Sequence, residues 1–143
     1  MTGSSDRPLV EINARLGGDR IPQLGQLALG VDAPVAAADA ACGRRPDLTA
    51  SRRRAAAVRF LYPGENGIAR AVHIDADRLP STVDSAEAVA IPGQELALPP
   101  AGHVSSRYAL LIAAADTAQA CLADLDAADA VVRVELIQPR SAR

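Results

Sequence analysis

The sequence predicts an α+β protein in two parts, and three observations carry that expectation. Residues 7–15 alternate polar and apolar side chains with a period of two, and residues 21–42 hold two helix-forming runs with their own start and stop residues. Residues 55–137 then change to short β-prone runs broken by turn residues, with one helix among them. The stretch 44–54 is polar, carries Pro46 and breaks all periodicity, so it reads as a linker. The expected organisation is a first part over 1–43, the linker 44–54, a small antiparallel-sheet domain with one packed helix over 55–137, and a tail over 138–143.

In order along the chain, residues 7–15 read as a strand and Gly17-Gly18-Asp19 as the turn leading to a helix over 21–29, which Gly30 closes. A second helix over 33–42 takes Asp32 as N-cap, Pro34 in its first turn and Gly43 as C-cap. Its alanines give it helix propensity but little to bury. Beyond the linker, runs at 56–62 and 68–74 flank Pro63-Gly64-Glu65-Asn66-Gly67 and read as a hairpin. Residues 86–91 make a third strand, Pro92-Gly93 and Pro99-Pro100-Ala101-Gly102 are turns, and 108–114 make a fourth strand. Residues 117–128 form a helix N-capped by Asp116, and 131–137 a last strand. No internal repeat is visible.

The first strand carries the chemistry. Glu11, Asn13 and Arg15 fall at every second position and share one face, while Val10, Ile12 and Ala14 share the other. Glu and Asn oxygens are hard ligands suited to Mg²⁺, and an arginine holds a phosphate or carboxylate by its planar fork. Together they are equipment for phosphoryl transfer. The same pattern alone also fits an edge strand with solvated polar residues.

The longer run Glu11-Ile12-Asn13-Ala14-Arg15-Leu16-Gly17-Gly18-Asp19-Arg20-Ile21-Pro22-Gln23-Leu24, continuing through Ala28-Leu29-Gly30-Val31-Asp32, closely resembles the last strand and following helix of the ATP-grasp fold. The likeness is to carboxylate-amine ligases of the L-amino-acid ligase type, whose motif reads E-[IV]-N-x-R-x-G-G before a helix ending in A-x-G-[VI]-D. The resemblance implies that Glu11 bridges two Mg²⁺ ions and Asn13 binds one of them. It implies that Arg15 steadies the acyl phosphate or the acceptor, and that Gly17 and Gly18 let the backbone approach the substrate. It further implies ATP and Mg²⁺ as cofactors, and a small-molecule carboxylate and amine as substrates. Residues 55–137 resemble, with weaker motifs, the domain that follows the ATP-grasp core in the same ligases.

That family also needs an amino-terminal domain, a lysine-bearing lid, an adenine pocket and a neighbouring strand with a further acidic metal ligand, all ahead of this motif. Here ten residues precede Glu11, and the fifteen basic residues are all Arg. The chain therefore resembles the carboxyl-terminal third of such an enzyme. Alone it is expected to be inactive and to bind Mg²⁺-ATP weakly, with an upstream segment or a partner polypeptide completing it. The alternatives are a truncated, non-catalytic remnant or interaction module, and one subunit of a split ligase.

Composition narrows the remaining classes. A net charge of −2 makes no field that gathers nucleic acid or an anionic membrane. No apolar run approaches the ~20 residues of a membrane span, and the polar start is no signal peptide, so a cytoplasmic place is expected. Phe60, Tyr62 and Tyr108 are the only large rings, which leaves packing to Val, Leu, Ile and Ala. Cys42 and Cys121 read as buried free thiols. His73, beside Asp75 and Asp77, reads as a strand end rather than a metal site, and His103 is unassigned. The runs Arg44-Arg45 and Arg52-Arg53-Arg54 read as solvated linker. No P-loop, dinucleotide fingerprint or nucleophile elbow is present.

Overall fold

Pro22 sits in a first helical turn, where its missing N–H costs nothing, and residues 23–29 carry no β-branched side chain, so a helix starts here. Helix α1 spans Ile21–Leu29 in the computed structural model, which describes residues 13–138. Gly30 ends it in the left-handed region (φ 76°), with its N–H on the Gln26 carbonyl. No other residue fits there, because a Cβ would overlap Ser51 Oγ. Helix α2, Ala33–Ala41, begins at Asp32, whose carboxylate accepts the Val35 N–H at 2.9 Å. Cys42, not Gly43, is its C-cap, and Gly43 follows with φ 71°. The helix buries only Ala36, so Cys42 at its end is exposed, against the buried thiol expected from sequence. Cys121 is buried, and its thiol donates to the Ala113 carbonyl at 3.2 Å.

Residues 44–54 hold no helix or strand, yet their end is tied down. The Ser51 and Arg52 N–H groups donate to the Leu29 carbonyl, the Arg54 N–H to that of Ala28, and Arg54 Nη2 reaches the Ala114 carbonyl at 2.8 Å. Arg54, though exposed, thus stitches α1 to the sheet that follows.

The strands are β1 (Ala55–Leu61), β2 (Gly67–Ile74), β3 (Val83–Ala88), β4 (Glu95–Leu96), β5 (Ala109–Ala115) and β6 (Val132–Ile137), with α3 (Ala118–Asp129) between the last two. They form two antiparallel sheets in place of the single one expected, ordered β1-β5-β3 and β4-β2-β6. The hairpin expected from β1 and β2 does not exist. The turn residues 62–66 reverse the chain, but β1 pairs with β5 from Ala55↔Ala115 to Leu61↔Ala109, while β2 pairs with β6. Turn chemistry fixes a reversal of direction and leaves the choice of partner to packing. The third strand lies three residues earlier than expected, and β4 was too short to show a period.

The β1-β5-β3 sheet is the middle layer. Strand alternation puts Ala109, Leu111, Ala113 and Ala115 on one face, in one buried cluster with Cys121, Leu125 and Ala128 of α3 and with Ala69, Leu96 and Val132 of the other sheet. Leu110, Ile112 and Ala114 on the opposite face are buried as well, on the side where Phe60 meets the turn before α1. Being covered on both faces explains why β5 is apolar without interruption. Arg59, next to Phe60 but on the α3 side, pairs with Asp126 at 2.6 Å.

Helix α3 is capped by Thr117, whose hydroxyl accepts the Ala120 N–H at 3.1 Å, and not by Asp116 as expected. Asp116 stands 97% exposed, its carboxylate 3.7 Å from Arg54 Nε. Thr117→Ala is therefore expected to cost about 1 kcal/mol in chemical denaturation, a typical cap loss, and Asp116→Ala to fall within about 0.5 kcal/mol of the unsubstituted chain.

Candidate functional site at the Gly-Gly-Asp turn

Glu11, with most of the expected strand 7–15, lies outside the described residues. Of that strand, 13–15 are described and hold no strand conformation; Asn13 and Arg15 are exposed. Arg15 Nη1 donates to the Leu16 carbonyl at 3.1 Å. Arg15 and Gly17 border an open apolar cavity of about 450 Å³, walled by Leu16, Ile21, Leu29 and Leu48. A side chain at Gly17 would crowd Ile21, whereas the space beside Gly18 is open. Among the described residues no cluster of three or more His, Cys, Asp or Glu could hold a metal ion. The structure thus brings Arg15 and Gly17 together at one cavity and leaves the pairing of Glu11 with Asn13 unplaced.

Left-handed backbone falls not on the two glycines but on Asp19 (φ 52°) and Arg20 (φ 64°), just ahead of α1. Such a conformation costs a non-glycine residue about 1–2 kcal/mol and persists where surroundings hold it. Both side chains are held by the β-rich part. Arg107 Nη1 donates to Asp19 Oδ1 at 2.6 Å and Nη2 to Oδ2 at 3.4 Å. Arg107 Nε donates to the Tyr62 hydroxyl at 2.9 Å, and the guanidinium stacks 3.6 Å from the centre of the Phe60 ring. Arg20 forms a close ion pair with Glu87, whose other oxygen accepts the Ser85 hydroxyl at 2.7 Å. One helical turn on, Gln23 Nε2 reaches Asp84 at 3.1 Å. Asp19, Arg20, Phe60, Val89, Val104 and Arg107 border a second cavity of about 290 Å³.

Arg107 is only 13% exposed, and its hydrogen bonds to Asp19 and Tyr62 raise its pKa further. The same hydrogen bond, with the charge of Arg107, holds the Asp19 carboxyl below the usual carboxylate range against an opposing desolvation. A carboxylate with a lowered native pKa contributes stability that is complete above its unfolded value and is lost as pH falls through the folded one. The Asp19 carboxyl resonance in NMR is thus expected to titrate below the ordinary aspartate range, and Arg107→Met to move it back toward that range.

Sequence reasoning did not find Arg107. It lies 88 residues from Asp19, and no spacing joins them. The signal that was present is local: a solitary arginine directly before the apolar run of β5, in a chain with few rings to stack on. The histidines do not join this site. His73 Nε2 stands 3.7 Å from Glu135 on β6, and exposed His103 gives its carbonyl to the Ser106 N–H.

No protein-family model and no curated protein matches the sequence. Solved structures do. The chain is similar to phosphoribosylglycinamide synthetase from Anaerococcus prevotii, with TM-score 0.72 and 15% identity over 86% of this chain and 32% of that one. It is also similar to L-amino acid ligase from Bacillus licheniformis, with TM-score 0.69 and 13% identity over 87% of this chain and 31% of that one. Both are ATP-grasp enzymes, so the likeness in fold is to the kind of protein that the motif resembles. The chain spans about a third of the length of each.

Proposed function

We propose that this chain supplies the carboxyl-terminal part of an ATP- and Mg²⁺-dependent ligase that activates a carboxylate as an acyl phosphate and joins it to an amine, an amino acid in the favoured case. The observation that carries the reading is the likeness in fold to a ligase and a synthetase over most of this chain, with an exposed arginine and a Gly-Gly turn ahead of α1. Glu11 and Asn13 would hold Mg²⁺, and a carboxylate with an amide oxygen is a hard donor set that fits this ion. Bound there, Mg²⁺ would offset the triphosphate charge and polarise the γ-phosphate. Arg15 would steady the acyl phosphate or the acceptor by its planar fork, and Gly17 and Gly18 would keep side chains away from the substrate.

Two ligands are far from the near-octahedral set Mg²⁺ requires, so these residues would act only with the portion of an ATP-grasp enzyme that carries the lid and adenine pocket. That portion would come from residues beyond these 143 or from a second polypeptide. The exposed Leu16, Ile21, Leu29 and Leu48 beside the 450 Å³ cavity are apolar surface that such a segment would cover. A cytoplasmic setting is part of the proposal; among the described residues no helix is long and apolar enough to cross a membrane.

Complementation tests it. The chain is produced with the remaining two thirds of the Bacillus licheniformis ligase, and phosphate release is followed with and without amine. Amine-dependent release supports the reading. ATP cleavage that ignores the amine, or no release from a complex shown to assemble, overturns it.

A further inference from the structure

We infer that Arg107 and Glu87 are positioning residues: carried by the β-rich part, they clamp Asp19 and Arg20 and so hold the Gly17–Arg20 turn in a backbone shape it would not keep alone. Its bearing on catalysis rests on the ligase reading, but the clamp itself does not.

Two adjacent non-glycine residues occupy the left-handed region, and each side chain ends on an opposite charge contributed from far along the chain, 88 residues on for Asp19 and 67 for Arg20. Both clamping groups are themselves fixed. Arg107 is oriented by the Tyr62 hydroxyl, which accepts from its Nε, and by the Phe60 ring beneath its plane, and Glu87 by the Ser85 hydroxyl. Arg107 is held from its other side by chain order: the Arg107 N–H donates to the Val104 carbonyl, and the preceding Ser106 is buried with its hydroxyl accepting the Ala97 N–H. A pre-set guanidinium loses little freedom on binding a carboxylate bidentately, which is where arginine differs from lysine. The turn starts two residues after Arg15. Its shape therefore decides where Arg15 and the Gly17-Gly18 backbone stand relative to anything bound before α1.

The test is a double-substitution cycle on the intact chain, read by amide hydrogen exchange. Arg107→Met and Asp19→Asn are each expected to speed exchange of the Ile21 and Leu24 amides, which donate to the Gly18 and Arg20 carbonyls, about tenfold while leaving the β5 amides unchanged, and the pair together to add nothing to either alone. Arg107→Lys keeps the charge without the fork and is expected to fall between. Additive effects, no effect at Ile21 and Leu24, or equal loosening of β5 overturns the clamp. In the complemented ligase, Arg107→Met is expected to lower the amine-dependent kcat with little change in KM for ATP. If exchange rises and kcat does not change, positioning for catalysis is refuted. If the unsubstituted complex never turns over while the exchange cycle is coupled, the ligase reading fails and the clamp stands.

Discussion

Glu11→Gln abolishes amine-dependent phosphate release from the complemented ligase: this is the expected result, with the rate falling below about one per cent of the unsubstituted value, since several kcal/mol of charge stabilisation depends on the metal. The amide keeps the shape of the side chain and removes the negative charge that would bridge two divalent ions. Assembly of the complex should not change, which separates loss of metal from loss of fold. Asn13→Ala is expected to weaken Mg²⁺ dependence and to leave turnover measurable at high metal, because water replaces a neutral oxygen ligand. Arg15→Lys should lower the rate of amide formation more than nucleotide affinity, since charge is kept and the bidentate fork is lost. A complex that turns over normally with Glu11→Gln would show that the E-x-N-x-R face is solvated surface, the bland alternative that the residue pattern by itself left open.

The second large effect belongs to the core. Leu125 on α3 is 1% exposed and sits in the cluster shared by both sheets, while Leu122, one turn earlier on the same helix, is 52% exposed. Leu125→Ala is expected to cost about 2–5 kcal/mol, the transfer term plus that of the cavity left behind. Leu122→Ala loses the same helix propensity and little burial, and should stay within about 1 kcal/mol. Urea unfolding followed by circular dichroism reads both. The core contains almost no rings to close over a hole, so the larger end of the range is expected for Leu125. Equal losses would mean that α3 packs by a different face from the one described.

What could be read from sequence was local. Pro22 and Gly30 bracket α1 because each acts on its own residue's backbone, and the helix bounds follow at Ile21 and Leu29. Asp32 announces α2 in the same way. At α3 two cap-forming residues stand side by side, and Thr117 is the one whose hydroxyl accepts the Ala120 N–H, a choice the residue types alone do not make. The β1–β2 hairpin failed for a related reason, since the partner of β1 begins nearly fifty residues away and wins by burying both faces of β5. The two-residue strand Glu95–Leu96 shows no period at all. As for the site, the motif named Arg15, Gly17 and Gly18 from neighbours in sequence, whereas the contacts that shape their turn come from Glu87 and Arg107, which nothing near the motif announces.

The order of the strands has a kinetic meaning. The first, third and fifth make one sheet and the second, fourth and sixth make the other, so each step along the chain from one strand to the next passes between sheets. Among the described residues no two consecutive strands are hydrogen-bonded to each other, and so no hairpin of theirs can form early and wait. The middle sheet lacks its central strand until residue 115 has been synthesised, and the second sheet lacks its longest pairing until residue 137. Closing such loops loses entropy before any pairing repays it, which makes folding slow and nearly all-or-none. A ribosome-bound chain halted before β6 would hold β2 with no partner but the two-residue β4.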